Sequence, residues 1–189
     1  MRRFLGCLTL LVGLAFWLNS AHEAVGQSKK KLGGPTVEIE GLKSQVFEHW
    51  KEQKAAKPNT YAFLLPIDVK SDKDAAEMVV YPAEGTKEEI VAALKKSFEP
   101  PSFAKSIDEV TRSESFKAGK ADVTAIYTQG TFLKQEGDSA GKVTKVENQR
   151  MRAYVFDVGG KKYVVRITGP FKSVGFHLPD SDAWAKAFK

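Results

Sequence analysis

The chain has 189 residues, with 29 Lys and Arg against 23 Asp and Glu, a formal charge of +6 and one cysteine, Cys7. That length makes about one domain, and a lone cysteine excludes an internal disulfide and a multi-thiolate metal site. Lys29-Lys30-Lys31 is the basic run; elsewhere lysines interleave with acids, as in Lys70-Ser71-Asp72-Lys73-Asp74, so the charge reads as solvated surface rather than a nucleic-acid footprint.

The first element is a leader. Met1-Arg2-Arg3 precedes an apolar stretch from Phe4 to Leu18, and polar Asn19-Ser20 closes it, the layout of a secretory signal peptide. Ala24 and Gly26 place small residues at −3 and −1 of a cut before Gln27, with a cut after Ala21 as the alternative. The stretch is shorter than the roughly 20 residues of a spanning helix. Cys7 lies near its beginning, whereas a lipoprotein cysteine would end it. Residues 1–26 therefore read as a cleaved signal, and the product as extracytoplasmic, either periplasmic or released, with no transmembrane segment. Cys7, Arg2, Arg3 and Glu23 leave with it, so 163 of the 189 residues remain, at +5 and without cysteine. Such a domain is stabilised by its core alone, in which a chain of this length buries roughly 70% of its unfolded surface.

Residues 27–35, rich in Lys, Gly and Ser, read as a flexible leader, and 36–189 as one α+β domain. Thr36–Leu42 alternates Val37 and Ile39 with Glu38 and Glu40, which suits a half-buried strand. Ser44–Lys57 is ambiguous between a helical face of Val46, Phe47 and Trp50 and a short strand entering a lysine-rich loop. Tyr61–Ile67 and Glu77–Tyr81 read as strands. Thr86 then opens a helix, with Glu89 completing a capping box and Ile90, Leu94 and Phe98 forming its apolar face; Pro100-Pro101 stops it. Strand character follows over 107–118, 121–133, 150–158 and 162–168, with Gly119-Lys120 and Gly159-Gly160 as hairpin turns. Residues 134–148 read as an exposed polar loop. Asp180, as N-cap, opens a last short helix through Lys189 that packs Trp184 and Phe188.

Sites are sparse. A phosphate loop needs converging N–H donors, and Thr168-Gly169-Pro170 offers one glycine before a proline without an N–H, so it reads as the end of a strand. His49 and His177 are 128 residues apart and no cysteine accompanies them, so no metal site is expected. Asp68–Asp74 has Lys70 and Lys73 where a calcium loop needs an oxygen ligand and glycine. His177 and Asp180 supply a base and an acid, but no G-x-S-x-G elbow exists, and an acidic pair for glycosidase chemistry is not selectable from spacing. The aromatics of the strands, such as Tyr127, Tyr154 and Phe156, read as cross-strand packing. Catalytic, cofactor and metal residues are thus expected to be absent.

Taken in order, Tyr61-Ala-Phe-Leu-Leu-Pro66, Glu77-Met-Val-Val-Tyr81, the helix after Gly85, the long hairpin, Arg152-Ala-Tyr-Val-Phe156 and Tyr163-Val-Val-Arg-Ile-Thr-Gly-Pro170 resemble small exported bacterial proteins of the PsbP-like superfamily. The resemblance spans roughly Thr36–Lys189. It implies an antiparallel sheet between helices, an α/β/α sandwich, and a non-enzymatic role in binding or stabilising assemblies; it transfers no site residues. The function expected is an accessory or binding module outside the cytoplasm, with an envelope protein or anionic envelope component as partner and no nucleic acid. A small secreted hydrolase, or an electrostatic binder of anionic envelope surfaces, is the alternative.

Overall fold

Alternating apolar and polar residues build the first hairpin. β1 (Leu32–Ile39) buries Val37 and Ile39, and β2 (Leu42–Phe47) buries Leu42, Ser44 and Val46. The computed structural model describes residues 31–135 and 142–189, so the signal region and the tip of the long hairpin lie outside the described residues. β1 begins at Leu32, which pairs with Phe47, so Leu32–Pro35 belong to a strand and not to the expected leader. Pairing to β2 supplies the order that the glycine-rich composition hides. The ambiguous segment after it resolves as strands: β2, a turn at 48–50, and β3 (Lys51–Gln53).

A second sheet has eight strands, all paired antiparallel. β3 lies at one edge, followed by β4 (Tyr61–Leu65), β5 (Ala76–Ala83), β10 (Lys161–Pro170), β9 (Val143–Val158) and β8 (Ala121–Gln135). The outer edge of β8 is shared by β7 (Arg112–Ala118) along its first half and β6 (Phe98–Glu99) along its second. A 3-10 turn at Ile107–Val110 takes the first residues of what the sequence suggests as one strand. Central position explains the pattern of β9, buried without interruption from Met151 to Phe156. A strand covered on both faces loses its alternation.

α1 (Lys87–Lys96) covers one face. Thr86 Oγ1 accepts the Glu89 N–H at 3.2 Å and Glu89 Oε2 accepts the Thr86 N–H at 2.7 Å, the expected capping box. Ile90 and Leu94 pack on Ile126, Ala153, Val155 and Val164. The helix ends at Ser97, ahead of the proline pair; Phe98 leaves it to pack against Phe132 across β6 and β8, the ring centres 5.2 Å apart and tilted by 37°. The opposite face carries Val123, Ala125, Tyr154, Phe156, Val165 and Ile167 under the β1–β2 hairpin and α2 (Phe171–Lys186). The result is a single α+β domain whose mostly antiparallel sheet has one helix on each face.

Two further expectations need correction. Residues 134–148 are not one loop: β8 continues to Gln135 and β9 starts at Val143, with Val143 opposite Gln135 and Val146 opposite Phe132. The extension has little buried surface, so its composition resembles a loop while backbone pairing makes it a strand. The last helix begins at Phe171, not Asp180, and Pro179 lies inside it. Its buried stripe is Val174, His177, Ser181 and Trp184, at spacings of three, four and three; a histidine and a serine on that stripe conceal the helical period.

A bulge between Gly130 and Phe132 shifts the β8–β9 register. A Cβ on Gly130 would stand 2.1 Å from the Glu99 carbonyl oxygen, which is backbone and has nowhere to go. Gly130→Ala is therefore expected to cost about 1–3 kcal/mol by forcing β6 off β8, read as a lower midpoint in chemical denaturation.

Candidate functional site

Where α2 passes the start of β7 and the middle of β8 and β9, an open groove of about 660 Å³ forms. Strand register assembles it. Glu114 stands opposite Ala125 and Ala125 opposite Tyr154, while Arg112 stands opposite Tyr127 and Tyr127 opposite Arg152. The small side chain of Ala125 leaves the span that Arg152 crosses to reach Glu114.

Arg152 is 6% exposed, in the middle of a strand buried on both faces. A charge there is stable only when paired. Its Nε donates to Asp182 Oδ1 at 2.8 Å, and its Nη2 lies 2.5 Å from Glu114 Oε1 and 2.7 Å from Asp182 Oδ1. The Tyr154 hydroxyl donates to the same Asp182 oxygen at 2.6 Å, with Ser181 Oγ 3.0 Å away. Burial opposes the Arg152 charge, yet Tyr154, the hydrogen bond to Glu114 and the Asp182 carboxylate outweigh it and hold the guanidinium pKa above its ordinary value. Burial first, and then the Asp182 charge, push the Tyr154 phenol upward. The hydrogen bond from Arg152, reinforced by its charge, holds Glu114 below the ordinary carboxylate value. The floor of the groove is a fixed, charge-satisfied network.

Past Gln129 the groove continues into a second hollow of about 500 Å³, bordered by Gly130, Glu147, Phe103 and Phe171. Phe103 is 74% exposed and Phe171 43%. Arg150 lies between the two hollows, its Cζ 3.4 Å from the centre of the Phe171 ring and 5.0 Å from that of Tyr127. Burial lowers its pKa, with Tyr127 opposing. Gly175 makes room for it: a Cβ there would come within 2.6 Å of Arg150 Nη1.

The residues weighed from sequence are distributed as follows. Thr168-Gly169-Pro170 ends β10, and Gly169 is needed because a Cβ would sit 2.8 Å from Ala76 Cα on β5. Asp68–Asp74 is a turn, with Asp68 Oδ1 accepting the Lys70 N–H at 3.0 Å. Tyr154 and Phe156 are buried, as packing requires, although the Tyr154 hydroxyl also serves the arginine network. Asp180 is not an N-cap: it lies within α2, one turn after His177, and the fold closes the 128-residue gap to His49, bringing donor atoms of all three within 4.8 Å of one another. The protons of the buried serines go to backbone carbonyls: Ser44 donates to Trp184, Ser173 to Asp74 and Ser181 to Leu178. Arg152, Glu114 and Asp182 were not singled out from sequence. The available signal was Arg152 itself, a permanent charge inside Met151-Arg-Ala-Tyr-Val-Phe156.

No family model matches the chain, and no curated protein sequence matches it. Among solved structures it is similar to LpqN of Mycobacterium tuberculosis, described as involved in cell envelope biogenesis, with a TM-score of 0.47, 8% identity, 82% of this chain covered and 84% of that one. Among the described residues no helix is long and apolar enough to cross a membrane.

Proposed function

We propose that the chain is an exported, non-enzymatic accessory domain of PsbP-like type that holds a segment of an envelope protein partner in the groove along α2. The carrying observation is a preorganised polar floor, built on Arg152, that runs on to two exposed phenylalanines, Phe103 and Phe171. Fixed hydrogen-bonding groups set orientation, and aromatic side chains at the end of a groove are the usual anchors of a protein interface. Two observations support a binding rather than a catalytic role. The buried serine protons are committed to carbonyls, and Glu114 is held ionised by Arg152 instead of being poised near neutrality as a general acid would be. Export rests on the Met1–Gly26 pattern.

Photo-reactive side chains placed at Arg112, Phe103 and Lys96 in intact cells test this reading. Arg112 and Phe103 line the groove, whereas Lys96 is exposed on α1, across the sheet. One protein adduct from the two groove positions and none from Lys96 is the expected result, on a chain whose first residue is Gln27. Equal labelling from Lys96, or none at all, would overturn the groove, and a retained Met1 would overturn cleavage.

A further inference from the structure

We propose that His49, His177 and Asp180 form a binding site for a divalent transition-metal ion of the zinc class. It stands apart from the groove and does not depend on it. The three come from two elements: His49 from the turn between β2 and β3, His177 and Asp180 from successive turns of α2. One donor atom from each lies within 4.8 Å of the other two. Four-coordinate zinc, with bonds of about 2.0–2.1 Å, needs ligand atoms roughly 3.3 Å apart. The required contraction is about an ångström or more, within reach of side-chain rotation at His49, which is half-buried, and Asp180, whose side chain is 17% exposed.

The orientation of His177 is that of a ligand. Its Nε2 lies 3.2 Å from the Pro66 carbonyl oxygen. A carbonyl only accepts, so Nε2 carries a proton and donates, and in the neutral ring the lone pair is on Nδ1. Metal-bound histidines are typically held in this way, with the second ring nitrogen donated to a backbone carbonyl. Nδ1 faces Asp180 Oδ2 at 3.9 Å. An ion placed between that nitrogen and the carboxylate would be held by both, and the stacked ring of His49, 5.6 Å away and 18° from parallel, brings a second imidazole to the same place.

The surroundings suit a structural ion. His177 is fully buried, with Trp50 edge-on at 6.4 Å and Phe176 edge-on at 5.0 Å, so the site is dry on one side and reachable through Asp180 on the other. Two imidazoles and one carboxylate favour zinc, nickel, copper or iron(II) over calcium and magnesium, which prefer all-oxygen shells. A bound ion would clasp the β2–β3 turn to α2, the cross-link that a chain without cysteine in its domain otherwise lacks, and would leave a fourth position for water.

The competing occupant is a proton, which would make His177 and Asp180 a simple ion pair. Calorimetric titration of the chelator-stripped chain, as exported and without a histidine tag, with ZnCl2, and absorption spectroscopy with CoCl2, separate the two. The expected result is one equivalent of Zn2+ bound at micromolar or tighter affinity, with visible cobalt bands of low coordination number. His49→Ala and Asp180→Asn should each weaken zinc binding at least about tenfold while the near-ultraviolet circular dichroism matches the parent. No saturable binding by the parent, or either variant binding as tightly as the parent, would overturn the site. His177→Ala is a poor probe, because it also opens a cavity in the core.

Discussion

Replacing Arg152 with methionine should lower the unfolding free energy by about 2–3 kcal/mol. Methionine keeps much of the aliphatic length but removes the charge, leaving Glu114 and Asp182 without their cation and the Tyr154 hydroxyl without its neighbour. Removing one member of a fully buried pair costs about 3–5 kcal/mol. The figure is reduced here because the Glu114 and Asp182 side chains are 58% and 32% exposed and can regain water. For a domain of this size the melting temperature should fall by roughly 4–12 °C, measurable by circular dichroism. A change near zero would mean that desolvation cancels the pairing and that the network supplies orientation without net stability.

The same pair sets an acid dependence. Glu114 has a folded pKa below its ordinary value near 4.5, from the Arg152 hydrogen bond and then its charge. A carboxylate depressed in the folded state adds stability that is complete above the unfolded value and is lost as pH falls through the folded one. The gap between parent and Arg152→Met should therefore narrow below about pH 4.5 and stay constant from there to neutrality. Widening on acidification would contradict the assignment of the shift to Arg152.

Trp184→Ala should cost more, about 3–5 kcal/mol, the range for removing a large buried aromatic. Trp184 is fully buried and meets Trp50 edge-on at 5.8 Å and Phe188 at 5.0 Å. Its backbone carbonyl accepts the Ser44 hydroxyl at 3.2 Å. One residue thus ties α2 to β2, to the turn after it and to the chain end, with Phe188 passing the contact on to Phe156 at 5.0 Å. Guanidinium denaturation should show a lower midpoint. A loss under about 1 kcal/mol would mean that α2 is held chiefly by Val174 and the strand contacts.

The two variants probe different origins of the fold. The amino-acid order alone specified the parts whose determinants lie within a few residues of each other: the Thr86–Glu89 box that starts α1, the Gly159-Gly160 turn with φ of 61° and 87°, the apolar runs of β4, β5 and β10, and a sheet-dominated α+β class. Capping and turn chemistry are local, so they survive without knowledge of the fold.

Everything that makes a site was decided at long range. α2 starts at Phe171 because the sheet buries a stripe carrying His177 and Ser181, which a hydropathy pattern counts as polar. Residues 143–148 are a strand because β8 offers its edge to them, despite a composition that suits a loop. Arg152 is tolerated in the core because β7 and α2 bring carboxylates to it from 38 and 30 residues away. His49 and His177 meet because the β2–β3 turn packs on α2 through Trp50 and Trp184. Side chains that bind or ligate act through distances of 3–5 Å, and chain separation bears no relation to such distances until the core has folded.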